Sequence, residues 1–189
     1  MVHRTWMIGA AVALLGMTCT ANSAFALLTG DYVGGWHNIT FGSTGDASAN
    51  VQITGPTAVT VSLDLDGNVF GGSDPTPLVL MGAIQMDGSV LFDDVMGHPT
   101  YGDVSGASIS PTGDVSAIGV NVPAVFIDTF ELGGGFTTEE HADLTYIVTF
   151  TDTSTANGTI TLDRVPEPAA LAVLSVGAAL LPTRRRATR

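Results

Sequence analysis

Apolar and polar residues alternate along most of this chain, and helical periodicity is hard to find. In DYVGGWHNITF the residues Val33, Ile39 and Phe41 share one face. In VTVSLDL the shared face is Val59, Val61, Leu63 and Leu65, and in DLTYIVTF it is Leu144, Tyr146, Val148 and Phe150. A repeat of two residues predicts half-buried antiparallel strands. Turn signals fall between them at Asp66-Gly67, Asp87-Gly88 and Thr112-Gly113-Asp114, where glycine supplies the positive φ of a tight hairpin. A last hairpin is expected to turn at Asn157-Gly158 and return as TITLDR. GGSDPTP and ELGGGFTTEEHAD read as surface loops, Pro123 demotes its run to an edge strand or a bulge, and Thr137 to Asp143 has room for one helical turn. The expected fold is all-β: an antiparallel β-sandwich or β-barrel built from successive hairpins.

Both ends break the pattern. Residues 1–26 combine Arg4, an apolar run from Trp6 to Met17 and an A-x-A site at Ala24-Phe25-Ala26, the layout of a signal peptide cleaved after Ala26 or, second, after Ala24. At the other end Val165-Pro166-Glu167-Pro168 precedes an apolar run, Ala169 to Leu181, closed by Arg184, Arg185, Arg186 and Arg189. As a helix that run would be about 20 Å long at ~1.5 Å per residue, short against a hydrocarbon core of ~30 Å. Arginines behind it hold the C-terminus on the cytoplasmic side and leave the preceding domain outside. The two prolines keep the tetrapeptide extended and accessible to a processing enzyme.

That order of motif, short helix and arginine cluster resembles the PEP-CTERM sorting signal of Gram-negative bacteria, over residues 165–189 only. The resemblance implies recognition of Val165, Pro166, Glu167 and Pro168 by an exosortase, with Arg184, Arg185 and Arg186 as the membrane stop. It also implies a transient inner-membrane anchor with the domain on the periplasmic side, then display at the cell surface or release among extracellular polysaccharide.

Residues 27–164 then form one exported domain, long enough to bury a core. Its charge is one-sided. The 189-residue chain has a net charge of −12 and no lysine, and no Lys or Arg occurs between Thr5 and Asp163. Such a surface repels phosphate backbones and anionic lipid, which argues against nucleic acid as a partner. Cys19, the sole cysteine, lies in the leader, so disulfides, thiolate metal sites and a cysteine nucleophile are excluded from the domain.

Catalytic motifs are not found: there is no G-x-S-x-G elbow, phosphate-cradling glycine loop or H-E-x-x-H helix. No enzyme and no cofactor are expected. His37, His98 and His141 lack ligand spacing, and His37 is read as a core or edge residue on the face of Val33 and Ile39. Asp64, Asp66 and Asn68 are the best calcium candidates, although a hairpin turn accounts for the same letters. Asp93-Asp94, and Glu139-Glu140 with Asp143, are the others. Gly34-Gly35-Trp36 resembles the G-x-W of lipocalin-like barrels, in which the tryptophan plugs the barrel base; that resemblance implies a small-ligand carrier. The role expected first is structural or adhesive. A polysaccharide-binding module is the alternative, and it needs Tyr32, Tyr101 and Phe136 exposed along one face.

Overall fold

The computed structural model describes residues 28–70 and 74–166. Ala24 and Ala26, Glu167 and Pro168, the apolar tail and Arg184, Arg185 and Arg186 lie outside the described residues. Among the described residues eleven strands follow one another: β1 (Gly30–Asn38), β2 (Thr44–Ile53), β3 (Ala58–Leu65), β4 (Leu78–Ile84), β5 (Val90–Phe92), β6 (Val95–His98), β7 (Gly102–Ile109), β8 (Val115–Val120), β9 (Ile127–Thr138), β10 (His141–Phe150) and β11 (Thr155–Arg164). Every pairing is antiparallel, in the order β5-β4-β3-β2-β1-β11-β10-β9-β8-β7-β6. β5 also pairs with β7, through Val90↔Ile109 and Leu91↔Ser108. This closes ten strands into a barrel and leaves β6 as an extension beside β7. Closure removes the long open edges that a sandwich would have to protect.

Alternation sets the inside. Val59, Leu65, Leu144, Tyr146 and Val148 are buried as their period-two pattern requires, with Val61 and Leu63 partly buried beside them. Each fully buried aliphatic or aromatic side chain contributes ~1.5–3 kcal/mol. β1 has the opposite parity from the expected one. Tyr32 and Trp36 point inward at 1% and 3% exposure, whereas Val33 is 53% exposed and Ile39 and Phe41 lie beyond the strand in the β1–β2 turn. Two large aromatic rings bury more area than one valine, and they decide which face goes in. His37 shares the outer face with Val33 and is exposed on a strand flanked on both sides, so the expected core or edge position is corrected.

Several turn and loop assignments are also corrected. Asp87-Gly88 and Gly113 do sit in the β4–β5 and β7–β8 turns. Asp66-Gly67 instead ends β3 and opens a long connection to Leu78. Asn157-Gly158 lies within β11, paired with Ile147 and Tyr146, and the hairpin turns earlier, around Asp152 and Thr153. The glycine-rich stretch is strand: Gly133, Gly134 and Gly135 pair with Thr145, Leu144 and Asp143. Gly134 has φ +107°, and a Cβ there would meet the Asp143 carbonyl, so glycine lets β9 press against β10. Thr137 to Asp143 is a hairpin with no helical turn, and Pro123 lies in the β8–β9 connection outside any strand.

Because β1 and β11 are neighbours in register Tyr32↔Arg164, the chain enters and leaves the barrel at one rim. The Val165 amide donates to the Asp31 carbonyl at 2.7 Å, which ties the last residues to that rim. The opposite rim carries the β1–β2 and β10–β11 turns and the connections after β3 and β8.

Candidate functional site

The inward residues of β2, β3, β4, β7 and β8 line an apolar bore, with Val51, Leu63, Leu80, Val104 and Ile109 among its walls. About 80 Å³ of it is free, enough for a few atoms only. Toward the rim opposite the chain ends, the bore is floored by rings. Phe70 stands edge-on to Tyr101 and Phe130 at centroid separations of 5.9 and 5.6 Å. Tyr101 and Phe130 are 5.9 Å apart, and Tyr146 extends the layer at 6.1 Å from Phe130.

On the outer side of this layer lies a second, larger hollow of about 460 Å³. That is within the size of small-molecule sites, ~300–1,000 Å³. Phe41, Phe126 and Phe150 form its walls, with Phe41 and Phe126 each 6.2 Å from Phe150. Phe70 and Val69 form its roof, and the ring layer of Phe70, Tyr101 and Phe130 lies between cup and bore. The polar groups of the cup are Asn38, Ser43 and Asn68. Asn38 is buried and its Oδ1 accepts the Phe41 amide at 2.9 Å, which fixes the turn that presents Phe41. Around the mouth Ile39, Phe41, Val125 and Phe126 remain 54%, 66%, 93% and 53% exposed. Four apolar side chains gathered at one rim mark a surface meant to be covered or filled.

Two floor tyrosines are buried with hydroxyls that make no hydrogen bond among the described residues, Tyr101 and Tyr146. Burial, then the charges of Asp64 and Asp74, push Tyr101 well above the ordinary phenol range. Burial raises Tyr146 to about 12, against a smaller downward pull from the nearby Asn38 side chain. Both phenols therefore stay protonated. His98 is fixed beneath Tyr101: its Nδ1 accepts the amides of Thr100 and Tyr101, each at 3.2 Å, which leaves Nε2 as the protonated nitrogen facing Thr76 Oγ1 at 3.5 Å.

Trp36 takes an inward position on β1. It is buried near the floor, and its Nε1 donates to the Asp66 carbonyl at 2.8 Å. The expected aromatic platform is not present, since Tyr32 and Tyr101 are buried and Tyr32 meets Phe136 edge-on at 5.6 Å inside the barrel. Among the described residues no group of three or more His, Cys, Asp and Glu is placed to hold a metal ion. Asp64 is held above the usual carboxylate range by burial and by the charges of Asp66 and Asp74. The Asp66 carbonyl is taken by Trp36. Asp74 Oδ1 accepts the Gly67 amide at 2.6 Å.

At the rim of the chain ends, His141 lies between two carboxylates, with Nδ1 2.6 Å from Asp163 Oδ1 and Nε2 3.2 Å from Asp143 Oδ1. The hydrogen bond to Asp163 is the main cause of a pKa raised above 6.5, opposed by burial and aided by Asp143. A raised folded pKa stabilises fully below the unfolded value and ceases to do so as pH rises through the folded one. His141→Gln is therefore expected to lower the melting temperature at about pH 5.5 and to match the parent at about pH 9. Circular-dichroism melts across that range check it, and equal differences at both ends would refute the pairing.

No protein-family model matches the chain, and no curated relative does. Solved structures do resemble it. EF1p2_mFAP2b bound to DFHBI is 13% identical, over 75% of this chain and 97% of that one, with a TM-score of 0.42. The siderocalin Ex-FABP, described as functioning through dual ligand specificities, is 12% identical over 81% and 85%, with a TM-score of 0.34. A redesigned β barrel is 15% identical over 76% and 96%, with a TM-score of 0.32. Likeness this loose transfers neither ligand nor activity, and the chain's own cup and bore have to carry the functional reading.

Proposed function

We propose that this domain is an exported carrier of a small apolar ligand, held in the aromatic cup and reaching toward the bore past Phe70. The observation that carries the reading is the 460 Å³ hollow walled by Phe41, Phe126 and Phe150 and roofed by the aromatic layer beyond which the apolar bore lies. The bore alone, at about 80 Å³, is too small for a drug-sized ligand. The cup, at about 460 Å³, is not. This is the carrier role implied by Gly34-Gly35-Trp36, and the interior favours it over the structural or adhesive role expected from the sorting signal.

Delivery completes the proposal. A leader over residues 1–26 and a sorting signal over 165–189, processed by an exosortase-type enzyme, would export the barrel by way of the inner membrane to the cell surface. Both chain ends leave one rim, so a tail held in a membrane would turn the cup away from it, toward solvent or neighbouring polysaccharide.

The test is a titration with Nile red, a neutral solvent-sensitive dye, against the parent protein and Ser43→Trp, in which an indole occupies the cup. One blue-shifted dye per barrel, weakened at least tenfold by the substitution at unchanged melting temperature, is the expected result. Equal binding by both proteins would place the dye elsewhere and overturn the reading.

A further inference from the structure

Resting on the carrier reading above, we infer that the ligand is electrically neutral and carries a hydrogen-bond-accepting oxygen, as in a ketone, aldehyde or ester, which receives the Tyr101 hydroxyl at the floor of the bore.

Two independent features lead there. The first is charge. No lysine or arginine lines cup or bore, and the one arginine among the described residues, Arg164, ends β11 beside Tyr32 at the rim of the chain ends, opposite the cup. His98 lines neither hollow, and its ring nitrogens face Thr76 and the Thr100 and Tyr101 amides. An anionic head group drawn into this interior would be buried without a counter-ion, and the surrounding excess of aspartate would oppose it further. Amphiphilic acids are thus disfavoured although the apolar walls suit their tails.

The second feature is an unused donor. Tyr101 is 2% exposed, lines the bore, and packs its ring between His98 at 4.9 Å and Phe70 and Phe130 at 5.9 Å each. Its hydroxyl has no partner among the described residues. Buried polar atoms in native proteins are nearly always satisfied, and an exception inside a cavity points to something that enters it. A phenol that stays protonated offers an O–H, so the complementary atom is an acceptor. Phe70, which lines the cup and stands edge-on to Tyr101, belongs to the ring layer that a ligand has to part to reach that hydroxyl from the cup.

Competition against bound Nile red distinguishes the possibilities with three probes of equal chain length: 2-undecanone, undecane and undecanoate. At pH 8 the ketone is expected to bind about tenfold tighter than the alkane, the worth of one buried hydrogen bond, and at least about a hundredfold tighter than the carboxylate. The carboxylate gap should narrow toward pH 5, where about half of a simple acid is neutral. Tyr101→Phe, which keeps the ring, should bring the ketone down to the alkane's affinity and leave the alkane unchanged. Undecanoate binding as well as the ketone at pH 8, or a Tyr101→Phe protein that holds the ketone as tightly as the parent, would overturn the inference. If the dye binds and Ser43→Trp expels it but the ketone shows no advantage, the carrier reading survives and this one fails. If neither dye nor any probe binds, both fail.

Discussion

Gly158→Ala is expected to destabilise the barrel by about 3 kcal/mol or more, although it adds a single methyl group and raises β propensity. Gly158 is buried in β11, opposite Tyr146 of β10 and Asn38 of β1. A Cβ there would run into the Tyr146 ring, at Cζ and Oη, and into the His37 backbone carbonyl. The ring could swing aside, but the carbonyl belongs to the β1–β11 ladder and cannot move without breaking it. Shortening Tyr146 should therefore fail to rescue the substitution in full. Gly133→Ala is the matched control, since its nearest neighbour would be Thr145 Oγ1 at 3.9 Å. Urea unfolding followed by circular dichroism should show a lowered midpoint for the first substitution and little change for the second. Equal midpoints would show that the neighbouring strands yield more easily than the geometry indicates.

The same glycine explains where the sequence misled. Asn-Gly is the commonest signature of a tight hairpin, and Gly-Gly-Gly normally marks a loop. Here both serve close approach within strands: Gly158 leaves room for Tyr146, and Gly134 lets β9 lie against the Asp143 carbonyl. A neighbouring strand's backbone demands those glycines, and strand neighbours are not visible in a linear pattern. β1 failed for a related reason. Val33, Ile39 and Phe41 form a consistent period-two set, but Tyr32 and Trp36 form the other, and only the closed barrel makes the aromatic set the inner one. Where one face clearly outweighed the other, as in VTVSLDL and in DLTYIVTF with only Ile147 on its outer face, the reading and the structure agree. The choice between sandwich and barrel rested on two residue pairs, Val90↔Ile109 and Leu91↔Ser108, which no local signal announces.

The cup was legible in part. Gly34-Gly35-Trp36 raised a ligand-carrying barrel among the expected folds, but Trp36 lines neither cup nor bore. Phe41, Phe70, Phe126 and Phe150, which shape the hollow, stand in three different turns and connections and at one strand end. Apart in sequence they look like scattered surface residues. Ile39, Phe41, Val125 and Phe126 carried the one usable hint, apolar residues in segments that ought to be polar turns.

Trp36→Ala is expected to cost about 4 kcal/mol, in the upper range for aromatic truncation in a core. The indole is 3% exposed and packs so closely on Gly45 that a Cβ there would lie 2.8 Å from Trp36 Cε2. Its Nε1–H satisfies the Asp66 carbonyl at 2.8 Å, while the Asp66 amide donates to the Asp46 carbonyl at 2.9 Å. One side chain thus joins the end of β3 to β1 and β2 and anchors the connection that carries Val69 and Phe70 into the cup. Trp36→Phe separates the two contributions: it keeps most of the apolar volume, loses the donor, and should cost about 1–2 kcal/mol, the worth of one hydrogen bond to a buried carbonyl. Unfolding is followed by circular dichroism, because Trp36 is the only tryptophan among the described residues. If Trp36 merely fills the core, Trp36→Phe should bind Nile red as the parent does. If it also positions Phe70, dye affinity should fall by more than the small stability loss accounts for, at temperatures where the variant is fully folded. A Trp36→Ala protein with the parent's urea midpoint would mean that the indole neither closes the floor nor braces the connection above the cup.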